Sequence, residues 1–340
     1  MRRATIIGLV VAAALAGVVA FLLLRGQDGD DTATPTPTTT PSPTPQPLAQ
    51  WPLTGLPTDE EVVGPVVAVK VDNTANAFPQ RGLDLADIVV EEPVEGGVTR
   101  LAVLMHSALP SGGEGVTGPV RSVRSSDIGV VAPADAVLLA SGGAAPPVAD
   151  IEAAGIETRF EGTEGFFRDP SRRAPYNLFV DVVQARAALT ESAAPPPYFT
   201  WASPGDVFPA GTPAQSVVLR FSPAQSTALA FDGTSWTRTL DTPDGFTATT
   251  VIALLVQQQV AGYLDPGGNP VPITITEGTG QGWMASSGSV VDIEWSKPTA
   301  ASPWSFRTAD GQNLPVPPGR TYLALLPAGT GSLQGVDSSG

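Results

Sequence analysis

The sequence predicts an α+β protein: a mixed α/β N-terminal domain followed by a mostly β C-terminal domain, behind an N-terminal transmembrane helix. Three observations predict this. The chain opens on an uncharged apolar run and then a Thr/Pro-rich stretch. Residues 51–198 mix buried-strand patterns with short helical ones. Residues 199–327 hold short strand patterns separated by Gly, Pro, Asp and Asn, and 328–340 read as a disordered tail.

Residues 4–24, "ATIIGLVVAAALAGVVAFLLL", are long enough to span a bilayer core as a helix. Arg2 and Arg3 precede the run and "DGDD" follows, which puts residues 1–3 in the cytoplasm and the body outside. The rival reading is a signal peptide cleaved after "ALA" at 14–16. Both readings export the body. Residues 25–50 form a linker whose "TATPTPTTTPSPTPQPLA" tends to polyproline II, a semi-rigid stalk.

In the body, "VVAVKVDN" (66–73) reads as a buried strand. "DIVVEE" (87–92) and "GVTRLAVLMH" (97–106) read as a hairpin, and "AVLLAS" (136–141) as another buried strand. "VADIEAAG" (148–155) is a short helix stopped by Gly155, and "LFVDVVQARAALTE" (178–191) passes from strand to helix. "AAPPPYF" (193–199) marks the domain boundary. Beyond it come "SVVLRF", "ALAFDGTSWTRTL", "TVIALLVQQQV", "PITITEG", "GWMASSGSVVDIEWSKP", "WSFRTADGQ" and "TYLALLP", a β module. Trp236, Trp283, Trp295 and Trp304 fall in it, where core packing is the commoner use and a carbohydrate-stacking face the rarer.

The formal net charge is −15. Arg2, Arg3 and Arg25 balance Asp28, Asp30 and Asp31, so the whole excess lies after residue 50. That argues against nucleic acid as a partner. With no cysteine and a single histidine, His106, the chain has no thiol chemistry and no His-rich metal site. No metal site and no cofactor is predicted, and no G-x-S-x-G, H-E-x-x-H or phosphate-loop pattern occurs. Ser107 and His106 are strand neighbours, which face opposite sides and make a poor nucleophile–base pair.

"GPVRSVRSSD" (118–127) is the stretch with most chemistry. Gly-Pro breaks regular structure, and Ser125 or Ser126 with Asp127 reads as the cap and first turn of a short helix. Arg121 and Arg124 then flank a helix N-terminus, where an anion is needed between cation and helix dipole. Arg100, on a core strand, must be paired. Arg168, Arg172 and Arg173 sit on "FFRDPSRRAPYN" (166–177). The expectation is that Arg121 and Arg124 share one concave site with Arg100 or Arg172 nearby. The alternative is that Glu92, Glu95 or Asp127 closes on the arginines and satisfies them internally.

"PLTGLP" (52–57), "VAVKVDN" (67–73), "PQRGLDLADIVVEEPVEGGVTRL" (79–101), "GPVRSVRSSD" (118–127) and "FRDPSRRAPYNLF" (167–179) resemble, in order, the motifs of the YerB-type family of bacterial envelope lipoproteins. The resemblance covers about 52–327. It implies an exported, membrane-attached envelope protein with no established activity. It places the family's arginines on Arg100, Arg121, Arg124, Arg168 and Arg172, its acidic positions on Asp87, Glu92 and Glu95, and its amide on Asn177. Three departures matter. No cysteine is present to carry a lipid, so the helix takes its place. Thr74, Ala140 and Tyr176 stand where the family usually has histidine. The Arg/Glu set is kept, which favours binding over histidine catalysis.

Two functional expectations follow. In the first, the membrane-tethered protein binds an anionic wall glycan or an envelope protein through Arg100, Arg121, Arg124, Arg168, Arg172 and Asn177. In the second, it is an enzyme on anionic envelope glycans or pyrophosphate-linked precursors, with Glu92 or Glu95 as base or metal ligand.

Overall fold

A computed structural model describes residues 49–107, 109, 115–190 and 192–336. The predicted 4–24 anchor and nearly all of the 25–50 linker lie outside the described residues. Among the described residues no helix is long and apolar enough to cross a membrane.

The body is built on one eleven-stranded sheet. Its strands, in chain order, are β1 (Val67–Asp72), β2 (Ile88–Pro93), β3 (Thr99–Met105), β4 (Val137–Ala140), β5 (Thr158–Phe160), β6 (Thr212–Pro213), β7 (Thr250–Val256), β8 (Gly278–Ser286), β9 (Ser289–Lys297), β10 (Ser305–Thr308) and β11 (Thr321–Pro327). The spatial order is β6-β9-β8-β7-β11-β2-β3-β1-β4-β5, with β10 added to β9. β11 runs parallel to both β7 and β2, and so joins the two predicted domains in a single sheet.

The strands at the centre of this sheet, β1–β4, β7 and β11, are covered on both faces and read as nearly unbroken apolar runs, whereas β9 and β10 alternate buried and exposed residues. Val67, Val69, Val71, Leu101 and Val103 face a second, five-stranded sheet and the strand Leu178–Asp181. Ala68, Val90, Ala102 and Leu104 face helices α1 (Asp127–Val131) and α2 (Ala145–Ala153) with Tyr198, Phe199 and Trp304. A third helix, α3 (Val182–Ala187), adds Ala185 to the first face; Asp181 caps it by accepting from the Val183 and Gln184 N–H groups.

The fold is mostly β, with 42% of residues in strands and 11% in helices, which corrects the α+β expectation. The predicted helices form, but each is short, and only β4–α2–β5 is a parallel strand–helix–strand unit. β2 and β3 form the predicted antiparallel hairpin. "TVIALLVQQQV" is two strands: β7 ends at Val256, and Gln258–Leu264 pairs with Pro270–Thr274 as a separate arm. The predicted disordered tail is corrected as far as residue 336, and 337–340 lie outside the described residues. Ser332–Val336 pairs along the whole of Ser216–Arg220, an edge that would otherwise be open. Trp236, Trp295 and Trp304 are buried and serve as core; Trp283 is half-buried.

Since β11 lies between the halves, Leu323→Ala should lower stability by about 2–5 kcal/mol. Amides of β2 and of β8 should lose protection together in urea. Separate transitions for the two strands would show that the halves fold independently.

Candidate functional site

Charges on a doubly covered sheet must find partners within it. The register gathers them at one end. Asp72 on β1, Arg100 on β3 and Glu92 on β2 lie side by side. Lys70, Asp72, Glu92 and Arg100 all share the α1 face by strand alternation. Glu91, one residue from Glu92, points to the other face.

Segment 118–124 crosses this end as extended backbone. The Asp72 N–H donates to Pro119 O at 2.9 Å, Arg121 N–H to Lys70 O at 2.9 Å, and Ser141 N–H to Arg121 O at 3.0 Å. These bonds fix where Arg121 and Arg124 leave the chain. Arg121 Nε lies 2.7 Å from Asp72 Oδ2, an ionic contact without an aligned hydrogen bond. Arg124 grips Glu95 with both edges: Nε donates to Oε2 at 2.9 Å and Nη2 to Oε1. Arg100 reaches the same Glu95 Oε1 at 3.3 Å and donates to Ser122 O at 3.0 Å.

Arg100, Arg121 and Arg124 therefore come together, and Glu95 and Asp72 largely satisfy them, as in the alternative weighed above. Three guanidinium groups share two carboxylates. The surplus registers on Arg100: burial, then the neighbouring Arg124 charge, push its pKa down to about 10. Burial works to raise Glu95, but Arg124 and Arg100 hold it below the usual carboxylate range. Arg121 retains 25% side-chain exposure, and its guanidinium lies 5.7 Å from the Tyr176 ring.

The remaining candidates divide. Arg168 makes two 2.7 Å bonds to Glu161 and one to Asn177 Oδ1, a separate exposed cluster. Arg172 is consumed by the carbonyls of Ala77, Phe78 and Pro79 and by the Phe179 ring. Its loop nonetheless delivers Tyr176 to Arg121. The three positions of the expected histidines line the Asp72–Arg121 pair. Thr74 donates its N–H and hydroxyl to Asp72 Oδ1, Tyr176 faces Arg121, and Ala140 precedes Ser141, whose N–H holds Arg121.

The predicted Ser cap is corrected. Ser126 precedes α1 but makes no side-chain cap bond, and Ser125 Oγ donates to Asp150. Asp127 turns back to accept the Arg124 N–H at 2.7 Å.

Beneath the arginines lies a cluster absent from the sequence reading. Lys70 Nζ is 2.5 Å from Glu92 Oε1 and 2.7 Å from Asp127 Oδ1, and all three side chains are fully buried. A lysine in "VVAVKVDN" was the available signal. Burial works against the Lys70 charge, but Asp127 and Glu92 raise its pKa above the ordinary value. Burial also opposes the Glu92 charge, yet Lys70 holds its pKa down. Asp127 is left over: burial, with Glu92 beside it, pushes it up to about 7. Glu92 and Glu95, the acid–base candidates, are thus a sealed ion-pair member and a double arginine partner.

His106 lies past the far end of β3, its Nε2 3.2 Å from both Val63 O and Gly64 O. The Ser107 hydroxyl donates to Asp87 instead of to His106.

Comparison with known proteins now places this architecture. Residues 53–195 match the N-terminal domain of the protein family of unknown function DUF3048, and 211–323 match its C-terminal domain. The chain belongs to this family. A stretch of 74 residues is 46% identical to "Putative lipoprotein YerB" of Bacillus subtilis (strain 168), covering 22% of this chain and 21% of that protein. The crystal structure of YerB from Bacillus subtilis superposes with a TM-score of 0.69 at 22% identity, over 84% of this chain and 99% of that one. The shared fold includes both family domains.

A folded-state proton affinity above the unfolded one makes Asp127 cost stability as pH rises from about 4 to about 7. Asp127→Asn removes that slope. Urea unfolding should show the variant gaining on wild type by a few kcal/mol across this window, at 1.36 kcal/mol per pKa unit. Parallel pH profiles would contradict the placement of the proton.

Proposed function

We propose that this chain is a membrane-attached protein of the cell envelope whose exported body binds an anionic wall glycan or envelope partner at Arg121. The observation that carries the reading is the surplus cation at the sheet end. Among the described residues Arg100, Arg121 and Arg124 share only Asp72 and Glu95 as ionic partners. Arg121 keeps a solvent-facing edge, and Tyr176 beside it offers a ring face. A guanidinium held in place by backbone bonds on both sides is prepared for bidentate contact with a phosphate or carboxylate. A lipoprotein name on a relative and the apolar run at 4–24 support membrane attachment. Arg100 and Arg124 support the site by charge, while Arg168, Arg172 and Asn177 shape the neighbouring loop. The reading assigns no chemistry to Glu92 or Glu95, since both are engaged in ion pairs.

The test is equilibrium dialysis of the full-length protein against a phosphate-bearing polysaccharide and its dephosphorylated form. The phosphorylated polymer should bind, and Arg121→Ala should weaken it roughly ten- to hundredfold, the worth of one charge-assisted hydrogen bond. Equal binding of both polymers, or full binding by Arg121→Ala, would overturn the proposal.

A further inference from the structure

The Lys70–Glu92–Asp127 cluster is more than a buried ion pair. Two carboxylates share one ammonium, and all three side chains are fully buried. Without a further proton the three side chains carry one net negative charge inside the protein, faced only by the arginine surplus one layer above, and burial makes that charge costly. A proton held between the carboxylates removes that charge. Glu92 Oε2, Asp127 Oδ1 and Ser126 Oγ are all buried without a well-aligned hydrogen bond, and the Asp127 carboxyl and Ser126 hydroxyl lie beside the Glu92 carboxyl, so a proton between the two acids has an acceptor at hand.

Each member of the cluster is also tied to a different arginine of the site above. Lys70 O accepts the Arg121 N–H, and Asp127 Oδ2 accepts the Arg124 N–H. Glu92 is the direct cross-strand neighbour of Arg100.

We propose that the Lys70–Glu92–Asp127 cluster is a one-proton switch that sets the charge beneath the arginine site, so that anion binding strengthens when the proton is taken up. This rests on the anion-site reading given above. The groups facing Asp127 are Lys70 from β1, Glu92 from β2 and the Arg124 N–H from its own segment, while the Ser126 hydroxyl faces Glu92. The other polar groups packed on α1 and its entry are the Thr276 and Tyr198 hydroxyls, Asp150 on Ser125, and Arg100 on Ser122. Burial, with Glu92 beside it, pushes Asp127 up to about 7. His106 sits past the opposite end of β3 from Arg100. Protonation changes the cluster from −1 to 0. One unit of charge acting over roughly 10 Å at an effective dielectric near 20 alters anion affinity by about tenfold.

The experiment measures sulfate binding to the full-length protein by calorimetry from pH 5.5 to 8.5. Sulfate keeps its charge throughout that range, so any trend belongs to the protein. Infrared difference spectra over the same range follow the carboxylic acid C=O band. In wild type the band should fade as pH rises, and the affinity for sulfate, with its two charges, should fall about a hundredfold with it. Asp127→Asn should bind at the low-pH level at every pH and lack the band. Glu92→Gln is the second variant should Asp127→Asn fail to fold. If the band does not titrate, the switch is overturned whatever binds. If it titrates while Arg121-dependent sulfate affinity stays flat, the coupling is overturned and the anion site stands. If no sulfate binding depends on Arg121, the site reading falls and takes the coupling with it.

Discussion

A sheet covered on both faces leaves no water for a charged side chain, and the polar chemistry of this protein follows from that constraint. The strands at its centre carry Lys70, Asp72, Glu91, Glu92 and Arg100, all buried. Each must be neutralised or hydrogen-bonded in place. Strand alternation then sorts them. Lys70, Asp72, Glu92 and Arg100 fall on the helix-covered face; Asn73, Glu91 and Thr99 fall on the other.

The two faces solve the problem differently. On the sheet-covered face, Glu91 accepts from Asn73, Thr99, Thr227 and Tyr322, at 2.5 to 3.0 Å. Arg238 closes the network on Asn73, Gln80 and Asp244. Four acceptances saturate one carboxylate, and residues from both family domains take part. This is a clamp between the domains with nothing left to offer a ligand. On the helix-covered face the numbers do not close. Two carboxylates meet one ammonium below, and three guanidinium groups meet two carboxylates above. The imbalances have opposite sign and lie one layer apart.

Much of this was legible in the sequence and some was not. The apolar runs at 67–72, 88–93 and 99–105 announced strands, and "PVEGG" announced their turn. The arginines of "GPVRSVRSSD" were legible as a site because a Gly-Pro and a Ser-Ser frame them. Of their partners, Glu95 was among the carboxylates the sequence offered, but Asp72 on Arg121 and Asp127 on Lys70 are set by tertiary register, which a linear reading cannot supply. The single sheet was hidden for the same reason. β11 inserts between β7 and β2 from more than 200 residues beyond β2, and local periodicity carries no trace of that pairing. The tail failed differently: "SLQGV" has weak strand character and becomes a strand only because Ser216–Arg220 offers an open edge.

Where the family resemblance leads one to expect histidines, this chain has Thr74, Ala140 and Tyr176. Thr74 and Tyr176 contact the Asp72–Arg121 pair, Ala140 precedes the Ser141 that bonds Arg121, and none of the three is an imidazole. A member with imidazoles there would carry its pH response at the surface of the site, in direct contact with any ligand. Under the switch proposed above, that response comes from below. The buried carboxylates can supply it because desolvation raises an acid toward neutrality where no imidazole is present. The same burial that made pairing compulsory for Lys70 thus leaves Asp127 as the titrating group of this end of the sheet.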